Sequence, residues 1–226
     1  ASAARENGGL MVYVYERIAE SSSWQQVGDG IFRNHNADMY SQEWSQYVSL
    51  SKDGLTVAVG YAEYQGDSSL CRVFEWRIDN WTQLGGDIAS NVTQEYFGQT
   101  VSLADDGRRV AVGSTMGSIS GEAHVRVYEL QENKWVQIGM PIPSNTYFQQ
   151  SWMCGSSCSA SVSLTGDGNM IAVGFYKSNV TVHRWVSESG WLRVGAAIDV
   201  SEFVGHSAMS LSDDGNRVVV GHCGTS

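Results

Sequence analysis

One phrase recurs four times along this chain, and no other feature constrains its fold as strongly. It reads "VSLSKDGLTVAVGY" from Val48, "VSLADDGRRVAVGS" from Val101, "VSLTGDGNMIAVGF" from Val162 and "MSLSDDGNRVVVGH" from Met209. A second phrase alternates with it: an apolar strand, a polar turn, Trp and another strand. Its copies are "MVYVYERIAESSSWQQVGDGI", "CRVFEWRIDNWTQLGGDI", "VRVYELQENKWVQIGMPI" and "VTVHRWVSESGWLRVGAAI". Trp24, Trp81, Trp135 and Trp191 mark the period, at intervals of 57, 54 and 56 residues. Self-similarity at such a period means that each repeat is one supersecondary unit that buries its apolar faces only by stacking on its neighbours.

Each unit reads as four strands, a to d. "VSLA" alternates small polar and apolar residues, as a strand with two unlike faces should. Asp-Gly reverses the chain, because Gly accepts the positive φ of a hairpin corner. "RVAVG" is almost continuously apolar and predicts a strand covered on both faces; "VRVYEL" and "WVQIG" supply the other two strands. A unit of four antiparallel strands is a propeller blade. The expected fold is therefore all-β: a four-bladed β-propeller forming a single domain over residues 1–226, with blades at about 46–88, 99–142 and 160–198. The chain opens on strands c and d, at 10–31, and ends on strands a and b, at 208–221. Pairing these two halves into one shared blade would close the ring and remove exposed edges. A segment cut from a longer propeller would carry the same phrases.

These residues resemble the FG-GAP repeat of integrin α-subunit propellers. The best copy is Phe97-Gly98, then "TVSLADDGRRVAVGS", then Gly121 and "HVRVYEL"; Gly205 with "AMSLSDDGNRVVVG" is a second match. A nearer likeness is to "VSLS-x-DG-x-x-VAVG…VRVYEW" repeats in proteins of diatoms and other stramenopile algae. The resemblance spans nearly the whole chain and implies a propeller that serves as an interaction platform. The chain departs from the family at the corners. Calcium-binding FG-GAP blades carry a longer Asp-x-Asp-x-Asp-Gly loop, whereas the corners here are "SKDG", "ADDG", "TGDG" and "SDDG". Two adjacent carboxylates fall short of the roughly six to eight oxygens that Ca²⁺ takes. The corners read as turns, Asp before Gly being a preferred turn former. No cofactor is expected, and Asp106 and Asp214 are the residues a calcium alternative would use.

Composition narrows the partners. The chain has 226 residues, a net charge of −10 and a pI near 4.8, with 42% hydrophobic residues, 25 Gly and 2 Pro. Such a chain is globular, and it lacks the Lys/Arg surplus that phosphate backbones or anionic lipid require. No apolar run is long enough to span a bilayer. Neither nucleic-acid binding nor membrane insertion is expected. Among the four cysteines, Cys154 and Cys158 flank "GSS" and are expected to form a short disulfide, while Cys71 opens a strand as a small buried hydrophobe. Sequons at Asn80, Asn91 and Asn179 fit an extracellular or organelle-lumenal setting. The opening "ASAARENGG" reads equally as the product of signal cleavage or as a cut end.

In a propeller the a-to-b and c-to-d turns share one end of the blades, and the long d-to-a and b-to-c loops share the other. The long segments here, 32–46, 89–99, 143–160 and 199–208, differ from one another and are rich in aromatics. Loops on a rigid scaffold carry recognition, so Tyr40, Trp44, Tyr96, Tyr147, Phe148, Trp152 and His206 are the expected binding residues, for a protein or glycan partner or within a larger assembly. Phe97, the periodic tryptophans and the column Tyr15, Phe74, Tyr128 and His183 read as packing between blades. A metal site from His35, His206 and His222 with a carboxylate from Glu43, Glu95 or Glu202 lacks any ligand spacing that would bring it together. Glu95 and Glu202 are the pair that a carbohydrate-active hydrolase or lyase would use at the channel mouth, its carboxyls about 5–9 Å apart. No nucleophile elbow or phosphate loop is present. No catalytic residue is assigned; the expectation is a binding scaffold, with the hydrolase and a calcium-dependent adhesin as alternatives.

Overall fold

The computed structural model describes residues 11–19, 21–32, 43–63, 69–90, 95–116, 124–143, 160–175, 179–200 and 208–221. Every regular element within them is a β-strand, so the all-β expectation holds. At the head, β1 (Met11–Val12), β2 (Tyr15–Arg17), β3 (Trp24–Gln26) and β4 (Ile31–Phe32) make two short antiparallel pairs, β1 with β4 and β2 with β3. Three larger antiparallel sheets follow. The first runs β5 (Glu43–Leu50), β6 (Thr56–Glu63), β7 (Leu70–Arg77) and β8 (Asn80–Gln83), with β9 (Ile88–Ala89) returning to β7. The second runs β10 (Glu95–Leu103), β11 (Arg109–Met116), β12 (His124–Gln131) and β13 (Lys134–Gln137), with β14 (Ile142–Pro143) on β12. The third runs β15 (Ser161–Leu164), β16 (Met170–Gly174), β17 (Val180–Val186) and β18 (Gly190–Ile198). A tail hairpin, β19 (Ala208–Leu211) with β20 (Val218–Gly221), ends the described chain.

The four-strand order a-b-c-d thus appears three times in full. Strand d, read from the sequence as "WVQIG" and its equivalents, matches β8 and β13, and in these two sheets a further short strand, β9 or β14, follows it. β8 pairs with the far end of β7 and β9 with its start, Ile88 opposite Cys71, with Gly85 at a φ of +71° between them. In the third sheet β18 continues through Gly195.

The core lies between sheets. Strand b is covered on both faces, as its apolar run demands: Ala58, Ala111 and Ala172 are all 0% exposed. One cluster joins Ala58, Cys71 and Ile88 of the first sheet to Phe97, Val110 and Tyr128 of the second. Another joins Val125, Ile138 and Ile142 of the second to Val162, Ile171 and Val173 of the third. A third packs Val12 and Ile31 of the head on Val57, Val59 and Phe74. Each fully buried Val, Ile or Phe among them contributes roughly 1.5–3 kcal/mol. Phe97 is fully buried and meets Tyr128 edge-on at 6.2 Å, so the Phe-Gly dipeptide packs between sheets as its sequence position suggests.

The pairing expected between 10–31 and 208–221 is not among the strand pairs of the described residues. There β20 pairs only with β19, β1 only with β4 and β2 only with β3.

Candidate binding faces

The Asp-Gly corners use their polar atoms locally. Asp53 Oδ1 accepts from the Leu55 amide at 2.9 Å and from the Ser51 hydroxyl at 2.6 Å. Asp167 Oδ1 accepts from Asn169 N and Thr165 Oγ1, and Asp214 Oδ1 from Asn216 N and Ser212 Oγ. Asp106 Oδ1 accepts from Arg108 N at 2.9 Å, although Ala104 removes the hydroxyl partner that the other corners have. Each corner is an Asx turn closed by a Gly with positive φ, 67–76° at Gly54, Gly107, Gly168 and Gly215. The hydroxyl and amide donors hold the Asp53 and Asp214 carboxyls below the ordinary carboxylate value. At Asp167 burial opposes the shift, but donation from Thr165 and Asn169 wins and the value is again lowered.

Neighbouring corners also tie to each other. Lys52 Nζ meets Asp105 Oδ2 at 2.8 Å, and the Lys52 amide donates to the Asp105 carbonyl. Arg109 bridges to Glu129 within its sheet and to Asn169 Oδ1 at 2.6 Å in the next. Among the described residues, no group of three or more His, Cys, Asp or Glu is arranged to hold a metal ion.

Two hydrogen bonds recur at every junction between full sheets. The strand-a serine of one sheet accepts from a leucine amide of the next: Leu103 N to Ser49 Oγ, Leu164 N to Ser102 Oγ and Leu211 N to Ser163 Oγ, each 2.9 Å. The periodic tryptophans reach back in the same sense. Trp81 donates to the Val27 carbonyl, Trp135 to Leu84 and Trp191 to Ile138, at 2.9, 2.7 and 3.1 Å. The residue after each of those carbonyls is Gly28, Gly85 or Gly139, and an aromatic ring lies so close that a Cβ there would meet it at 2.3–2.9 Å. Trp81, Trp135 and Trp191 are therefore packing residues, as their periodicity implies, whereas Trp24 and Tyr15 at the head, read with them as packing, are 69% and 42% exposed because no described sheet precedes them.

His183 departs from the aromatic column. Its Nε2 lies 3.0 Å from Thr181 Oγ1, while Nδ1 is buried without a hydrogen-bond partner among the described residues. Burial, with Arg193 adding repulsion, lowers its pKa. Beside it opens a cleft of about 350 Å³ lined by Met140, Pro141, Pro143, Gly190 and Trp191. A second cleft of about 250 Å³ lies between the first two sheets, at Thr56, Glu75, Arg77, Asp106, Arg108 and Glu132. Its mixed charges offer hydrogen bonds to a small polar group but no paired catalytic carboxylates are assigned there.

At the opposite end of the sheets, Tyr96 stands half-buried at the start of β10, in register with Thr115. Trp44 lies in β5. Tyr40, Tyr147, Phe148, Trp152, His206, His35, Glu202 and His222 lie outside the described residues, as do Cys154 and Cys158. Cys71 is fully buried, and burial pushes its thiol pKa well up. Sequence reading identified the corners and the tryptophans but missed the serine bonds, whose only trace is the Ser of "VSL" and "MSL" repeated in every copy. Comparison with family models and with curated proteins finds no match.

Proposed function

We propose that this chain is a non-enzymatic interaction scaffold of the propeller type, binding a protein or glycan through the long-loop end of its blades in an extracellular or lumenal setting. Residues 11–221 supply the strands of four blades, the fourth made when a head of the β1–β4 kind joins a tail hairpin of the β19–β20 kind. The observation that carries the reading is the asymmetry of the two ends. At the short-turn end the corner carboxylates are occupied by their own turns and the corners bind one another. Sequence variation and most of the aromatic residues not placed in strands fall in the long segments at 32–46, 89–99, 143–160 and 199–208. The resemblance to FG-GAP repeats supports the same role.

The test is a triple variant, Tyr96→Ala, Tyr147→Ala and Trp152→Ala, screened with the parent chain on a glycan array and by surface plasmon resonance against captured partners. Binding should fall at least about tenfold while the melting curve stays cooperative. Unchanged binding in the triple variant, with loss in Asp106→Ala or Lys52→Ala, would move the site to the short-turn end and overturn the proposal.

A further inference from the structure

The two ends of the sheet array carry the two unmatched halves of one repeated junction. Trp24, the head copy of the periodic tryptophan, is 69% exposed, whereas its three counterparts are half-buried on the preceding unit. The position that would receive it is Val194-Gly195. Gly195 has nothing within 4 Å of where a Cβ would be, while Gly28, Gly85 and Gly139 each have an aromatic ring there.

The other contacts of the junction are unmatched in the same way. Gly107, Gly168 and Gly215 pack on Thr56, Arg109 and Met170, the first strand-b residues of the sheets before them; Gly54 has nothing within 4 Å. Leu50 is 50% exposed, against 8%, 7% and 6% for Leu103, Leu164 and Leu211. Val219 is 66% exposed at the position where Ala58, Ala111 and Ala172 are 0%.

We infer that these ends are an interaction surface for a second copy of this chain, joined head to tail, with the tail strand β20 of one copy pairing with residues 12–16 at the head of the other. The register follows from the second sheet, where Ala111 faces Val127 and Arg109 faces Glu129. It sets Val219 opposite Val14 of the other copy and Arg217 opposite its Glu16, which repeats the Arg109–Glu129 ion pair across the seam. Trp24 then caps Val194-Gly195, and the Leu50 amide meets the Ser210 hydroxyl. This partner completes β20 with the strand type that follows strand b in all three full sheets.

The chain's own head does not fill that edge among the described residues: β20 pairs only with β19, and Trp24, Leu50 and Val219 stand exposed. Two copies joined at both ends close a two-fold ring of eight blades, inside the range of roughly four to eight that such rings take. Closure also leaves no edge for further addition.

This inference rests on the blade reading proposed above, and a charge swap separates the two. Light scattering on the purified 226-residue chain should give the mass of two chains. Arg217→Glu and Glu16→Arg, each alone, place like charges across both seams and should raise the dissociation constant at least about tenfold. Mixing the two single variants restores an Arg–Glu pair at both seams and should restore the dimer, which closure within one chain cannot do. Circular dichroism on each variant confirms that it is folded. A one-chain mass for the parent, with amides 218–220 protected from hydrogen exchange, overturns the second copy and leaves the fourth blade standing. A one-chain mass with those amides unprotected overturns both. A dimer that neither single variant weakens overturns this seam.

Discussion

Trp135 donates its indole N–H to the carbonyl oxygen of Leu84, 2.7 Å away and one sheet back in the chain. The bond is local in geometry but spans 51 residues of sequence. It joins the hinge of strand d in one sheet to the opening of strand d in the next, so each sheet's position depends on a glycine in its predecessor.

Gly139→Ala is the sharpest probe of that dependence. Gly139 has a φ of +71°, and an added Cβ would lie 2.8 Å from Trp185 and 2.9 Å from Trp191. Left-handed strain and overpacking together should destabilise the chain by about 2–4 kcal/mol. Gly195→Ala meets nothing within 4 Å in the single chain and should cost only about 1 kcal/mol of monomer stability. Urea melts of both variants, at concentrations where the chain is monomeric, test the difference.

Ser102→Ala removes the acceptor of the Leu164 amide, a bond of 2.9 Å between the second and third sheets. A backbone donor left without its partner in a packed junction should cost about 1–3 kcal/mol. The same change at Ser210, whose hydroxyl faces no further sheet among the described residues, should cost less than half as much in the monomer. Chemical denaturation of the two variants side by side measures the ratio.

The corner carboxylates predict acid sensitivity. Asp53, Asp167 and Asp214 all have pKa values lowered below 3.8 in the folded chain. A lowered carboxylate pKa means that the unfolded chain binds protons first, so the stabilisation is complete above pH about 4 and is lost as pH falls through the folded values. Asp167→Asn keeps the turn but removes that charge. It should flatten the decline in melting temperature between pH 4 and pH 2 relative to the parent.

His183 predicts a separate, milder dependence. Burial, then Arg193, lowers its pKa from the ordinary 6.5, so the folded chain favours the neutral ring. Its contribution is intact above the unfolded value and declines as pH falls below about 6.5 toward the folded one. His183→Phe restores the aromatic of Phe74 and Tyr128 and removes the unpartnered Nδ1. The variant should gain about 1 kcal/mol near neutrality and lose the pH dependence between 5 and 7. Thermal melts across that interval decide it.

Cys71 should not react with a thiol reagent in the native state, because it is fully buried and its thiolate is strongly disfavoured. Labelling followed by mass spectrometry should show modification of Cys71 only after denaturant is added.

Much of this architecture was legible in the primary structure because repetition multiplies weak signals. A single Asp-Gly is an ordinary turn, but four of them between a two-faced strand and an apolar strand specify a hairpin array. Strand b could be recognised as doubly covered because "VAVG" has no polar alternation, and Ala58, Ala111 and Ala172 are indeed fully buried. The packing role of Phe97 and of Trp81, Trp135 and Trp191 followed from their period. The short return strand after Gly85 was not visible, since Gly85 and Gly195 share a φ of +71° and +72° and yet β18 runs on through Gly195.

Sequence by itself determined the strand order, the corners and which faces are apolar, because these depend on residues a few positions apart. Tertiary structure alone decided which indole meets which carbonyl, that the strand-a serines bind the next sheet, and that the head and tail halves stand unjoined among the described residues. Those relationships join positions some fifty residues apart, and their geometry is set by the rotation from one sheet to the next. No local pattern encodes that rotation; it emerges when the side chains of two whole sheets interlock.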